Sequence, residues 1–405
     1  MRLNLTATGP AGGFPVTGCS CAVCSRAHRA GVTHGPARLE SPDGWAIGLE
    51  GVEREPAAHS AGFEPLGAGV VLIRTARGLV LWAPQAGEIP GAVLDSLAPP
   101  IVDDELRAVY LGPAPDAAGS GGEMPSVACA RGLARLRARG VIGPGTRCLL
   151  VGLSHHETHP ARLEACLRLW GAELPGPGSG IELERDADPG HGFPPVESAA
   201  RPGRGGSSGS GGRVLVLGGS GSGKSAFAEQ MLSAAPEVVY LATGPKPVAE
   251  KDDSASASVE DSPTEHPEDE EWAARVRKHQ QRRPDWWRTL ETVEVAGPLA
   301  QDERAILLDS VGTWLSGVLD RCGAWDERPG WREQLDAEIE ALLAAWRQRS
   351  APLVAVSDEV GWSIVPSTAS GRMFREELGR LNARLADASE DVFVVVAGRL
   401  LRTDA

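Results

Sequence analysis

One stretch of the sequence has the composition and spacing of a phosphate-binding loop. It consists of Gly218, Gly219, Ser220, Gly221, Ser222, Gly223, Lys224 and Ser225. It matches G-x-x-x-x-G-K-[ST], in which glycines turn backbone amides towards phosphate oxygens, the lysine reaches the outer phosphates and the serine holds Mg²⁺. The alternative is a glycine-rich turn that matches by chance. Lysine occurs at only four positions in the chain, and one of them is the position that the motif requires. The sequence therefore predicts a nucleotide site.

A carboxylate at the end of a later apolar run is placed to complete this site. Asp309 closes the run AILLD, and a carboxylate there can bind Mg²⁺ directly or through water. The alternative is that Asp309 caps the helix that is predicted to start at Ser310. We favour the metal role.

The segment Asp269–Trp287 places a histidine among basic residues. Its pattern is helical up to a proline, and His279 follows Lys278 and precedes a polar and basic run. Neighbouring cations suit a polyphosphate and disfavour a protonated imidazole, so His279 is expected to be neutral and nucleophilic. A surface histidine at the end of a basic helix explains the pattern equally well.

The elements around these residues alternate between strands and helices. Five short apolar runs have the composition of strands buried on both faces, namely Arg213–Leu217, Glu237–Ala242, Arg304–Asp309, Pro352–Ser357 and Asp391–Ala397. Between them, Leu335, Ile339, Leu342, Leu343 and Trp346 fall on one face of a helix. This alternation predicts an α/β fold with a mainly parallel sheet flanked by helices, whose site lies at the carboxyl ends of the strands.

Composition divides the 405 residues into two halves. Residues 186–212 are rich in Pro, Gly and Ser, as in a flexible linker. We therefore expect one domain at 1–185 and a second at 213–405. Residues 246–269 are rich in Asp, Glu, Ser and Pro, which indicates an acidic insertion in the second domain.

Taken together, ordered blocks of the second half resemble bifunctional adenosylcobinamide kinase/adenosylcobinamide-phosphate guanylyltransferase, a P-loop enzyme of cobalamin biosynthesis. The blocks are GG-x-x-SGKS (218–225), YLAT (240–243), D-E-E-x-AAR-V-x-x-H-x-x-x-RP (269–284), W-R-T-x-E (287–291), ILLD (306–309), V-S-x-EVG-x-x-IVP (356–366) and R-x-FRE-x-x-G-x-x-N (372–382). They cover essentially all of residues 213–405.

The resemblance implies two reactions on adenosylcobinamide. A nucleoside triphosphate, ATP or GTP, first phosphorylates its aminopropanol hydroxyl. His279 then takes GMP from GTP as a phosphoramidate and passes it to the phosphate, giving adenosylcobinamide-GDP. Besides the loop, the implied nucleotide site comprises Ala242, Thr243, Gly244, Gln280, Gln281, Arg282, Arg283, Glu291 and Asp309, with Mg²⁺ on Ser225 and Asp309. The resemblance also implies a homo-oligomer.

Two positions depart from the pattern of this family. Gly221 stands where arginine is usual, and Asp358 stands where asparagine is usual. Neither change removes a residue that the chemistry requires. Two other functions stay open: a small-molecule kinase without nucleotidyl transfer, and a non-catalytic nucleotide-binding regulatory module.

The first half resembles metallo-β-lactamase-fold phosphodiesterases through T-G-x-x-x-G-x-P ahead of C-x-C-x-x-C. That fold needs H-x-H-x-D-H to hold its metals. Here Gly112, Ala114 and Ala117 stand in the histidine positions, and only Asp116 is retained. We therefore expect a degenerate relative without the catalytic metals.

Two clusters in this half have metal-ligand character. Cys19, Cys21 and Cys24 have ligand spacing and, with a histidine, predict a structural Zn²⁺ site; three ordinary thiols are the alternative. His155, His156 and His159 have no matching carboxylates, so a polar loop is favoured there.

Charge and hydropathy exclude several classes of protein. A net charge of −14 argues against nucleic-acid binding along the chain. No apolar run approaches 18 residues, so no membrane insertion is expected, and the opening residues lack a signal-peptide core. We therefore expect a cytoplasmic protein.

Overall fold

The computed structural model describes most of both halves of the chain. The described residues are 1–10, 13–55, 61–97, 106–114, 124–153, 157, 160–183, 212–244 and 283–403. They form two compact units, Met1–Ser210 with Gln230–Pro236, and Gly211–Glu229 with Glu237–Ala405. Apart from Gly212, the expected linker 186–212 lies outside the described residues, as does the expected insertion 246–269.

The first unit contains two sheets of five strands each within its described residues. The strands are β1 (Arg2–Ala7), β2 (Arg38–Glu40), β3 (Ala46–Gly48), β4 (Gly51–Arg54), β5 (Ala61–Gly67), β6 (Val70–Thr75), β7 (Gly78–Ala83), β8 (Leu106–Leu111), β9 (Arg147–Leu150) and β10 (Ser179–Glu182). The sheet orders are β10-β1-β2-β3-β4 and β5-β6-β7-β8-β9. The helices are α1 (Ala22–Ala30), α2 (Gly91–Leu97), α3 (Ser126–Ala138) and α4 (Pro160–Trp170).

Apolar side chains of both sheets share one buried core. Leu5 and Ile47 come from the first sheet, and Trp82 and Tyr110 from the second. The rings of Trp82 and Tyr110 lie 5.2 Å apart between centroids. Because alternate residues of a strand face the same side, each sheet contributes one apolar face to this core.

The second unit contains one sheet in the order β13-β12-β14-β15-β11-β16-β17. Its strands are β11 (Arg213–Gly218), β12 (Val238–Ala242), β13 (Arg288–Glu291), β14 (Ala305–Asp309), β15 (Leu353–Asp358), β16 (Asp391–Val396) and β17 (Arg399–Thr403). All neighbours pair in parallel except β16 and β17. This confirms the predicted α/β fold, and each of the five predicted strands ends within one residue of its observed end.

Helices follow the strands of the second unit, and one of them packs on the sheet through the predicted apolar face. They are α5 (Lys224–Met231), α6 (Ala296–Gln301), α7 (Val311–Cys322), α8 (Trp331–Gln348) and α9 (Ala369–Asp387). The five α8 residues predicted to share a face are all buried in the core, next to Leu215 and Ile306 of the sheet. Within the described ranges, no helix is both long enough and apolar enough to cross a membrane.

Candidate nucleotide-binding site

The glycine loop has the strand–loop–helix context that its motif predicts. It follows β11, and α5 begins at Lys224. Gly221 and Gly223 have φ angles of +69° and +93°, which glycine adopts without strain. A Cβ on Gly218 would lie 2.6 Å from the Val395 carbonyl oxygen, so this position has no room for a side chain.

Lys224 is held by two oxygen atoms at the loop. Its Nζ lies 2.8 Å from Oδ1 of Asp358 and donates a hydrogen bond of 3.2 Å to the Gly219 carbonyl. The lysine side chain is only 12% exposed, whereas that of Asp358 is 39% exposed. Asp358, which the sequence alone did not assign to the site, therefore occupies the ammonium group that the motif assigns to phosphate.

Parallel register aligns several of the other described site residues along one edge of the sheet. Ala242 pairs with Asp309 on one side and with Glu291 on the other. Gly218 pairs with Asp358. These positions are all strand ends, so the backbone itself brings residues that are distant in sequence to the carboxyl edge.

Asp309 is fixed by a buried tyrosine. The Tyr240 hydroxyl donates a 2.6 Å hydrogen bond to Oδ2 of Asp309. Burial raises the pKa of Tyr240 far above its ordinary value, so the hydroxyl stays a donor at any physiological pH. The Arg283 guanidinium carbon lies 3.2 Å from the centre of the Tyr240 ring. Tyr240, one of only two tyrosines in the chain, was also not predicted as a site residue.

Helix α7 is capped by Ser310, not by Asp309. The Ser310 hydroxyl accepts from the Thr313 amide, and the Thr313 hydroxyl accepts from the Ser310 amide. The capping alternative for Asp309 is therefore wrong. Thr243 is buried and its hydroxyl donates to the Ser310 carbonyl at 2.7 Å, so it fixes the start of α7 beside Asp309.

The remaining predicted residues divide into two groups. Ser220, Ser222, Ser225 and Gly244 lie in the loop, at the start of α5 or directly after β12. The predicted nucleophile His279 and its neighbours Gln280, Gln281 and Arg282 lie outside the described residues. Arg283, which stacks on Tyr240, is the first described residue after them.

Sequence comparison connects the second unit with known proteins. Residues 214–403 match the family described as "Cobinamide kinase / cobinamide phosphate guanyltransferase". The "Bifunctional adenosylcobalamin biosynthesis protein CobU" of Salmonella typhimurium (strain LT2) is 35% identical over 195 residues, which are 46% of this chain and 96% of that protein. The chain belongs to the cobinamide kinase/guanylyltransferase family.

Two further relatives match the same part of this chain over nearly their whole length. CobU of Escherichia coli (strain K12) is 34% identical and is covered over 96% of its length. "Bifunctional adenosylcobalamin biosynthesis protein CobP" of Pseudomonas aeruginosa (strain PAO1) is 33% identical and is covered over 94%. Each match takes 46% of this chain. The resemblance predicted for the C-terminal half is thus confirmed, and the metallo-β-lactamase resemblance of the first half stays a prediction.

The first unit has no room for a histidine at position 112. A Cβ on Gly112 would lie 1.8 Å from the Pro84 carbonyl oxygen and 2.7 Å from that of Val151. This close approach agrees with the expected loss of a metal ligand there. Ala114 is described, whereas Asp116, Ala117, His155, His156 and His159 lie outside the described residues.

Cys19, Cys21 and Cys24 meet at the start of α1. Their Sγ atoms all lie within 4.8 Å of one another. The Cys24 amide donates to Sγ of Cys21, which lowers the pKa of the Cys21 thiol, whereas burial raises the pKa of Cys24. No histidine joins the three thiols in the part of the chain that the structure describes.

Proposed function

We propose that residues 213–405 catalyse two consecutive transfers to adenosylcobinamide. The first moves the γ-phosphoryl group of ATP or GTP to the aminopropanol hydroxyl, and the second moves GMP from GTP to the new phosphate. The observation that carries the proposal is the phosphate loop with Lys224, aligned on one sheet edge with Asp309 in a chain of this family.

For the phosphoryl step, the protein supplies position and charge. The loop amides and Lys224 would hold the outer phosphates, and charge on the transferring oxygens is stabilised by such donors. Ser225 and Asp309 would hold Mg²⁺, a hard ion that prefers oxygen ligands and neutralises phosphate charge when bound. Tyr240 would keep the Asp309 carboxylate oriented towards that ion.

For the guanylyl step, the nucleophile is the neutral imidazole of His279. One ring nitrogen attacks the α-phosphorus of GTP, so a P–N bond forms while the bond to the pyrophosphate oxygen breaks. A phosphate oxygen of adenosylcobinamide phosphate then attacks the same phosphorus and breaks the P–N bond, which frees the imidazole. Two in-line steps through a covalent intermediate replace one direct transfer.

One product assay tests this proposal. The full chain is incubated with adenosylcobinamide, GTP, ATP and Mg²⁺, and the coloured corrinoids are separated by chromatography. We expect adenosylcobinamide-GDP. Accumulation of adenosylcobinamide phosphate alone would indicate a kinase without nucleotidyl transfer. Unchanged adenosylcobinamide would contradict both and leave a nucleotide-binding module.

Removing the hydroxyl of Tyr240 is expected to weaken Mg²⁺ binding. Tyr240→Phe deletes the donor to Asp309, and loss of such a supporting hydrogen bond costs about 10–100-fold in metal affinity. The measurement is the Mg²⁺ concentration that gives half-maximal kinase activity. The control is Tyr110→Phe, since the Tyr110 hydroxyl has no hydrogen-bond partner among the described residues. An unchanged Mg²⁺ requirement in Tyr240→Phe would show that this hydroxyl does not serve the metal.

We also propose that Cys19, Cys21 and Cys24 hold a structural Zn²⁺. A tetrahedral ion with Zn–S bonds of 2.3 Å places its sulfurs about 3.8 Å apart, a spacing that the thiols reach with small shifts. Zinc supplies folding free energy at such sites without taking part in catalysis.

Metal analysis of the dialysed protein is expected to give about one zinc per chain. Cys21→Ser is expected to lose the zinc and to melt at a lower temperature. Cys322→Ala, which alters a buried cysteine outside the cluster, serves as the control and should retain the metal. Zinc-free wild-type protein, or a Cys21→Ser variant that keeps its zinc, would refute the site.

The location, the assembly and the ligands of the protein are inferred from the same reasoning. We infer a cytoplasmic, homo-oligomeric enzyme whose ligands are GTP, ATP, adenosylcobinamide and its phosphate, without nucleic acid. The net charge of −14 supports the absence of nucleic acid from this set of ligands.

A further inference from the structure

Three large apolar side chains project from the loop of residues 360–366. Trp362 is 70% exposed, Ile364 is 92% exposed and Val365 is 63% exposed. Single apolar side chains are common on protein surfaces, whereas a contiguous exposed group of them indicates an interaction site.

The backbone of the 360–366 loop is held by arginines of α9. Arg375 donates to the Gly361 carbonyl at 2.5 Å, and Arg372 donates to those of Pro366 and Ser367 at 3.0 and 2.6 Å. The Ser363 hydroxyl donates to the Val360 carbonyl at 2.7 Å. Since these bonds satisfy carbonyl groups along the loop, its outward apolar side chains belong to an ordered surface.

This surface adjoins the phosphate loop. Asp358, which contacts Lys224, lies four residues before Trp362, so their Cα atoms are at most about 14 Å apart. The Glu359 amide donates to the Gly218 carbonyl at 3.2 Å. On the other side of β11, β16 ends at Val396, which is 41% exposed. Exposed apolar groups thus lie at the end of one strand that flanks β11 and after the end of the other, at the edge where α/β sheets bind ligands.

We propose that the 360–366 loop, together with Val396, binds the corrin macrocycle of the cobinamide acceptor. The inference rests on the proposed function. The acceptor must bring its hydroxyl to the phosphates held beside Lys224, and its macrocycle is too large to share the glycine loop. The macrocycle is a flat conjugated ring fringed by methyl groups and amides. An indole can stack on such a ring, and aliphatic side chains can pack against its methyl groups.

The test measures corrinoid binding apart from turnover. Equilibrium dialysis gives the dissociation constant for adenosylcobinamide of the wild type and of the double variant Trp362→Ser/Ile364→Ser. The corrinoid is quantified by its visible absorbance. Losing two such contacts is expected to raise this constant at least about tenfold. The dissociation constant for GTP and the molecular mass in solution should stay unchanged. The control is Leu174→Ser, which removes an exposed leucine of the first unit.

Each other outcome separates this inference from the proposed function. An unchanged dissociation constant for adenosylcobinamide would overturn the inference while leaving the reaction in place. A lower molecular mass of the double variant would overturn it by showing that a second copy of the chain covers the loop. Binding of adenosylcobinamide that depends on Trp362 and Ile364, without any product, would support the inference and overturn the proposed function. Wild-type protein that binds no adenosylcobinamide would overturn both.

Discussion

Replacing His279 with alanine is expected to stop guanylyl transfer and to spare the kinase step. Without the imidazole no P–N bond can form, so adenosylcobinamide phosphate should accumulate and adenosylcobinamide-GDP should fall below detection. Loss of the nucleophile removes the covalent route for GMP transfer. The phosphoryl step is spared because it depends on Lys224 and the loop amides. The measurement is the ratio of the two corrinoid products at a fixed time with saturating GTP and Mg²⁺.

A second histidine provides the matched control for this variant. His266 lies in the expected acidic insertion, and His266→Ala should give the wild-type ratio of products. If His279→Ala still formed adenosylcobinamide-GDP at the wild-type rate, GMP would be transferred through another nucleophile or directly from GTP to the acceptor. The basic segment around His279 would then have only a phosphate-binding role.

Removing the ammonium group of Lys224 is expected to have the second largest effect. Lys224→Ala takes away a donor to the transferring phosphates and leaves the Asp358 carboxylate facing them. Loss of one such donor costs about 10²–10³-fold in kcat, and repulsion by Asp358 adds to that loss. The measurement is the rate of formation of adenosylcobinamide phosphate at saturating nucleotide.

Asp358→Asn separates the two parts of this effect. In the wild-type background it frees Lys224 from a partly exposed ion pair, which is worth at most about 1 kcal/mol, so nucleotide affinity should rise by up to about fivefold. In the Lys224→Ala background it should restore part of the lost affinity because it removes the repulsion. If Asp358→Asn weakened nucleotide binding in both backgrounds, the carboxylate would be a ligand of the bound nucleotide–metal complex and not a competitor for Lys224.

The strands and the glycine loop of the second unit were predictable because burial and backbone conformation each leave a pattern in the local sequence. Strands such as β11 and β14 are covered on both faces, so they appear as uninterrupted apolar runs. The loop at 218–225 needs glycine for positive φ at Gly221 and Gly223 and for close backbone approach at Gly218, and this requirement produces a recognisable motif.

The contacts that orient the site were not predictable in the same way. Tyr240 and Asp309 are 69 positions apart, and they meet because β12 lies next to β14 in the sheet. Lys224 meets Asp358 because β15 was placed beside β11 by a long connection. Local periodicity predicts that a strand forms, but it does not predict the order of the strands in the sheet. The sequence left the capping alternative for Asp309 open for a related reason: Asp309 and Ser310 are both good capping residues, and only the hydrogen bonds of Thr313 show which one is used.

The covalent intermediate is tested most directly by labelling the protein itself. The full chain is incubated with GTP labelled at the α-phosphorus and with Mg²⁺, denatured, and divided between alkali and acid. A phosphoramidate on His279 predicts label that stays on the protein in alkali, leaves in acid, and is absent from His279→Ala. Label that survives acid, or that persists in His279→Ala, would contradict guanylyl transfer through this histidine.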